Sequence, residues 1–146
     1  MFSKTESVHI DATPEAVYDY VSDIARHPEW AHEQLDITMG PEPQKQAGST
    51  FSYVTHYMGN AAGNGIVTEA NRPRAFTYEC EDKDGRYRWN FDIQPEGSGT
   101  RLTHTMWRLK APAYFTVLQP ILYPILGRKQ VAGGLQNIKA KLEAKS

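Results

Sequence analysis

The stretch VHIDATPEAVYDYVSDIARHPEW, residues 8–30, changes its periodicity twice within 23 residues. The tetrapeptide Ser7-Val8-His9-Ile10 alternates polar and apolar side chains, as a half-buried strand does. Thr13 then supplies an N-cap oxygen, and Pro14 has the fixed φ that suits a first helical residue. From there Ala16, Val17, Tyr20, Val21 and Ile24 recur at helical spacing, while Glu15, Asp19 and Asp23 fall elsewhere. Proline at 28 disfavours a helical His27 and restarts the chain, so Trp30 follows a second, very short helical turn. The stretch reads as a strand feeding directly into a corner of two short helices.

Beyond the corner, residues 35–109 read as strands separated by turn chemistry. LDITMG, STFSYVTHYM, GNGIVTEAN, AFTYECED, RYRWNFDIQP and TRLTHTMWRLK are divided by Gly59-Asn60, Arg72-Pro73, Asp84-Gly85 and Gly97-Ser98-Gly99. That pattern predicts a six-strand meander. Alternation is strictest in YRWNFDI, where Tyr87, Trp89, Phe91 and Ile93 share one face and Arg88, Asn90 and Asp92 the other. The run GNAAGNG opens no helix whose N-terminus could hold a phosphate, and it reads as a hairpin turn between strands.

After Pro112 the chain turns helical in two unlike halves. APAYFTVLQPILYPILG is apolar and broken by Pro120 and Pro124, which remove helix hydrogen bonds. Past Gly127, the spacing of Val131, Leu135, Ile138 and Leu142 predicts a long amphipathic helix with Lys139, Lys141 and Lys145 in water. The first half has two readings, a plug over the sheet or a membrane-docking element beside Arg128 and Lys129. It is too short and too broken to span a bilayer, which needs about 20 apolar residues, and the plug is favoured.

The charge balance narrows the choice of partners. Sixteen Lys and Arg stand against 17 Asp and Glu, so no global field attracts nucleic acid or an anionic surface. The first 36 residues are nevertheless acidic and the last 21 basic. The lone cysteine, Cys80, has no internal partner, and the opening Met-Phe-Ser-Lys begins no apolar run, which points to a reduced, cytoplasmic setting. With 146 residues the chain has the size of one domain, residues 1–146, and no internal repeat or low-complexity linker divides it.

This order of elements resembles the START-like, helix-grip superfamily, in its polyketide cyclase/dehydrase branch. The resemblance runs over essentially the whole chain, through residues 8–30, AGSTFSY, GIVTEANRPRAFTYE, GTRLTHT and LQNIKAKLE. It implies an α+β fold in which a curved, seven-stranded antiparallel sheet wraps around the long C-terminal helix, with two short helices after the first strand. It also implies a cavity for an apolar ligand between sheet and helix. In such a fold Trp30 lies near one end of the cavity, as a wall or as a core anchor; the two have the same sequence signature.

Strand parity then selects the lining. Phe51, Tyr53 and Tyr57 form the aromatic set of the third strand and are favoured over Ser52, Val54, His56 and Met58. Phe76 and Tyr78 continue the set, with Cys80, and Trp89 and Phe91 follow. In the last strand Leu102, His104, Met106 and Arg108 are preferred to Arg101, Thr103, Thr105 and Trp107. Leu118 and Leu122 come from the proline-broken segment. With Trp30 these residues form an apolar lining carrying a few hydroxyls and one imidazole, suited to an aromatic, polyketide-like or lipid-like ligand.

Catalytic patterns are sparse. His27 and His32 straddle Pro28 without the spacing of a metal-binding helix, no GxSxG elbow occurs, and no neighbour favours a Cys80 thiolate. No metal or cofactor is expected. General acid–base chemistry falls to His104, Arg108, Tyr53, Tyr57 or Tyr78, with His104 the candidate if it titrates near neutrality. Two functions follow: a carrier or binding protein for a hydrophobic small molecule, or a cyclase- or dehydratase-like enzyme of the kind the resemblance implies.

Overall fold

The computed structural model describes residues 3–32, 34–56, 59–111, 113 and 128–144. Strand β1 (Ser3–Ile10) leads into helix α1 (Pro14–Val21) and a 3-10 helix (Ile24–Glu29). Strands β2 (Leu35–Met39), β3 (Thr50–Thr55), β4 (Ala61–Asn71), β5 (Ala75–Asp82), β6 (Gly85–Glu96) and β7 (Gly99–Lys110) follow, and helix α2 (Arg128–Glu143) comes last. All seven strands form one curved antiparallel sheet in the order β1-β7-β6-β5-β4-β3-β2. The six-strand meander is therefore present, and β1 closes on its last strand with Val8 opposite Leu102 and Ile10 opposite Thr100. A bulge between Val67 and Glu69 disturbs the β4–β5 register, a device that bends a strand locally.

The corner is built as the local chemistry demands, with two departures. Thr13 Oγ1 accepts from the Ala16 amide at 3.1 Å and caps α1. The helix stops at Val21 rather than running to Ile24, and its buried face is Val17, Tyr18, Tyr20 and Val21, while Ala16 is exposed. Tyr18 replaces Ala16 because its ring meets Phe76 edge-on, at 6.1 Å between centroids. The 3-10 helix also carries His27 and Pro28 inside it rather than restarting at the proline. The His27 carbonyl holds the exit of the turn, accepting from the amides of Trp30 and Ala31 at 3.1 and 2.9 Å.

The glycine-rich run corrects the sequence reading. Residues 61–65 lie inside β4, and the turn before them is the Gly59-Asn60 pair, with Gly59 at φ +98°. A Cβ on Gly65 would stand 2.2 Å from the Phe51 ring, and one on Gly63 would stand 2.6 Å from Tyr53 Oη. The β3 aromatics fold across the neighbouring strand, and only glycine leaves room beneath them.

Helix α2 presents the expected stripe. Val131, Leu135, Ile138 and Leu142 are all buried, and the last three belong to the same core as Phe76, Phe91 and Leu102. A polar clasp fixes its far end to β1: Lys139 Nζ donates to the His9 carbonyl and to Glu143, each at 2.7 Å, and Glu143 accepts from the Asp11 amide at 2.9 Å. Lys139 thus directs its charge to the sheet rather than to water. Among the described residues, no helix is long and apolar enough to cross a membrane.

Candidate functional site: the inner face of the sheet

The face of the sheet turned toward α1 and α2 divides into three zones. Nearest α1, the side chains of Ile10, Phe76, Ile93 and Leu102 are sealed from solvent among Val17 and Val21. This is core, formed where the strands carry their most regular apolar alternation.

The middle zone is aromatic. The pairing registers place Tyr78 opposite Trp89, Trp89 opposite Met106, and Phe91 opposite His104. His104 stacks on Phe91, with centroids 4.1 Å apart and planes 11° from parallel, and lies 5.2 Å from the Trp89 ring. Trp30 comes in from the corner and meets Phe91 and His104 edge-on, at 5.9 and 6.2 Å. It is also fastened to α2, since Asn137 Nδ2 donates to its carbonyl at 2.9 Å and Gly134 passes beneath its six-membered ring. Trp30 is therefore buried, as a core anchor is, and ties the helix to the border of the aromatic zone.

His27, which the sequence reading left out of the site, is central to it. Its ring is 4.7 Å from Trp30 and 5.5 Å from Tyr78, and its Nε2–H donates to the Val21 carbonyl at 2.8 Å. Burial lowers its pKa to about 4, only partly offset by that carbonyl. The signal that could have found it is its position: one turn beyond α1, facing the same side as Ile24.

His104 is 3% exposed, and neither ring nitrogen has a hydrogen-bond partner among the described residues. Burial, with His27 adding a smaller push, lowers its pKa to about 3. It does not titrate near neutrality in this structure, which takes away the property on which its candidacy as a general acid–base rested.

The third zone, at the opposite end from α1, is polar and partly open. Tyr53 Oη donates to Asp82 Oδ2 at 2.7 Å. Arg108 lies over the Tyr87 ring, 5.0 Å from its centroid, and donates to the Tyr87 hydroxyl at 2.8 Å. Burial raises both phenols, Tyr53 and Tyr87, above their ordinary range, with Cys80 and Asp82 adding at Tyr53 and Arg108 opposing at Tyr87. Both remain hydrogen-bond donors at physiological pH. The Cys80 thiol is likewise raised by burial, which disfavours its thiolate.

Of the residues put forward from sequence, the structure brings Phe51, Tyr53, Phe76, Tyr78, Phe91, His104 and Met106 together as buried inner-face residues, with Trp89 half-buried beside them. Tyr57, Leu118 and Leu122 lie outside the described residues, as does the proline-broken segment to which the last two belong. Asp82 and Tyr87 were not among the candidates. Their partnership depends on which strand ends meet. A separate concavity of about 660 Å³ opens against β4 and β5, lined by Asn64, Ile66, Glu79, Glu81, Lys83 and Arg86. Its charged lining, with Glu79 held between Arg86 and Arg88, sets it apart from the aromatic face. Among the described residues no cluster of His, Cys, Asp and Glu could hold a metal ion.

A family model described as polyketide cyclase / dehydrase and lipid transport matches residues 1–143. The chain belongs to that family. Its architecture is the helix-grip fold, which it shares with solved structures of low sequence identity, one of them a START superfamily protein. The protein TTHA0849 from Thermus thermophilus is 19% identical, with a TM-score of 0.81 and 99% of each chain covered. A START superfamily protein from Mycobacterium smegmatis is 15% identical, with a TM-score of 0.78 and 99% of each chain covered. The di-domain ARO/CYC StfQ from the steffimycin biosynthetic pathway is 13% identical with a TM-score of 0.78; the match covers 98% of this chain and 51% of StfQ. At these identities the likeness is one of fold. No curated protein matches the sequence.

Proposed function

We propose that this chain, as one cytoplasmic domain over residues 1–146, binds a hydrophobic small molecule of aromatic, polyketide-like or lipid-like character against the inner face of its sheet. The observation that carries the proposal is the continuous aromatic cluster of His27, Trp30, Tyr78, Trp89, Phe91 and His104, whose two groups able to ionise near neutrality in water, His27 and His104, are held neutral by burial. Such a surface offers area and stacking, with little to hold a charged substrate. Membership of a family described by lipid transport as well as cyclisation agrees with it.

A second reading is favoured by one specific feature. The pairs Tyr53–Asp82 and Tyr87–Arg108 place phenol and guanidinium donors at the open end of the same face, where they could polarise a carbonyl of a reactive polyketone. StfQ, a di-domain ARO/CYC of the same fold, gives that reading a precedent.

Native mass spectrometry of the purified protein, followed by titration with an apolar fluorescent dye, tests the first proposal: one saturable site is expected, and the absence of saturable binding would refute it. For the second, a synthetic poly-β-ketone is incubated with the parent and with Tyr53→Phe and Arg108→Met variants. Cyclisation no faster than in buffer removes the enzyme reading.

A further inference from the structure

Two side chains of the aromatic zone have polar atoms that the described residues leave unsatisfied. They are the indole Nε1 of Trp30 and both ring nitrogens of His104, and their rings lie 6.2 Å apart, edge to face. Buried polar groups are almost always paired, because each unpaired one gives up its hydrogen bonds to water without replacement. Resting on the reading of the inner face as a ligand surface, we propose that Trp30 and His104 form a subsite for one uncharged oxygen, a ketone, phenol or alcohol, on an otherwise apolar ligand.

The chemistry of the two groups sets the ligand class. The indole offers a single N–H donor, and a neutral imidazole offers one N–H and one lone pair. A carbonyl oxygen has two lone pairs to receive the donors. A hydroxyl can accept from the indole and donate to the imidazole. A carboxylate or phosphate fits poorly, since burying such a charge demands a cation beside it. Both histidines are neutral, and Glu6, which pairs with His104 across β1 and β7, puts a carboxylate on the same side. Two inner-face cations lie further along: Lys4, opposite Met106 on the edge strand β1, is half-buried beside Glu6, and Arg108, four residues along β7 and roughly 13 Å away at the usual strand rise, donates to Tyr87. The stack of Phe91 and Trp89 on His104 fixes the imidazole plane, so the oxygen would be met by a preset group rather than a searching one.

The test uses two probes of matched shape, 9-fluorenone and fluorene, which differ by one carbonyl oxygen. The parent protein is expected to bind fluorenone about tenfold more tightly, the scale of one or two neutral hydrogen bonds in a dry site. Trp30→Phe and His104→Leu each remove hydrogen-bonding atoms while keeping apolar bulk. Each should cut the ratio of fluorenone to fluorene affinity about threefold or more, whatever the altered ring contact does to both affinities together. Equal binding of the two probes by the parent overturns the subsite and leaves the binding surface standing. Failure of both probes to bind overturns the binding surface and the subsite with it. A measurement on the parent alone guards against variants that fold poorly: the Trp30 indole ¹H–¹⁵N resonance should move downfield with fluorenone and not with fluorene. An indole resonance that responds alike to both probes overturns the proposal.

Discussion

Acidification from pH 7.5 to 5.0 should weaken this fold through two particular imidazoles. His27 and His104 are buried neutral, with pKa values of about 4 and about 3. In the unfolded chain both return to about 6.5. Since the folded values lie below the unfolded ones, the unfolded state takes up protons first as pH falls. The stabilisation is complete above about pH 6.5 and is lost progressively toward pH 4 and below. Each histidine contributes a slope approaching about 1.4 kcal/mol per pH unit, so at pH 5.0 each has cost about 2 kcal/mol and the pair about 4 kcal/mol. That is a large part of a typical margin of roughly 5–15 kcal/mol. Other titrations are separable. His9 and His56 are raised by hydrogen bonds to Glu96 and to Asp36, so their contributions are present at low pH and lost as pH rises. They are half-buried and act in the opposite direction. The lowered carboxylates, Asp19, Glu29, Glu42, Glu79, Glu96 and Glu143, lose their contribution mainly below about pH 4.5, near ordinary carboxylate values. Urea unfolding at pH 7.5, 6.0 and 5.0, at constant ionic strength, measures the slope. His104→Leu should remove about half of it. A parent whose stability is flat between pH 7 and 5, or a variant with the parent's slope, would refute the assignment.

Three further outcomes follow from the packing. Leu135→Asp puts a carboxylate at a position 1% exposed within the core, at a cost of several kcal/mol, and the variant should unfold or aggregate at 25 °C by circular dichroism; melting like the parent would mean that α2 does not pack as described. Gly65→Ala forces a methyl into the Phe51 ring and should lower stability by about 1–3 kcal/mol in urea, whereas an exposed strand glycine would gain from the same change. Trp30→Ala empties the junction between Phe91, His104 and Gly134, with an expected loss of about 3–5 kcal/mol and a weaker dye site. A stable variant that bound dye as the parent does would take Trp30 out of both roles.

The sequence by itself determined the elements whose cause is local. Alternation in YRWNFDI placed Trp89, Phe91 and Ile93 on one side, and β6 puts them there. The spacing of Val131, Leu135, Ile138 and Leu142 defined the buried stripe of α2, and Thr13-Pro14 marked the start of α1. These signals survive because a strand or helix repeats its geometry every few residues, so neighbours in sequence already know which way they face. The choice of His104, Met106 and Leu102 over Arg101, Thr103 and Thr105 in β7 was also legible, as the more apolar of two parities.

What the tertiary structure decided are the facts that need two distant segments at once. The GNAAGNG run looks like a turn to any local rule, yet its glycines lie in β4 because rings from β3 occupy the space a side chain would need. Asp82 and Tyr87 join the polar end of the inner face only once β3, β5, β6 and β7 bring Tyr53 and Arg108 beside them. Nothing in the neighbours of His27 or His104 foretells a lowered pKa. Desolvation is exerted by atoms from the corner and three central strands together, and a charge can be weighed only after the whole environment that replaces water has been assembled.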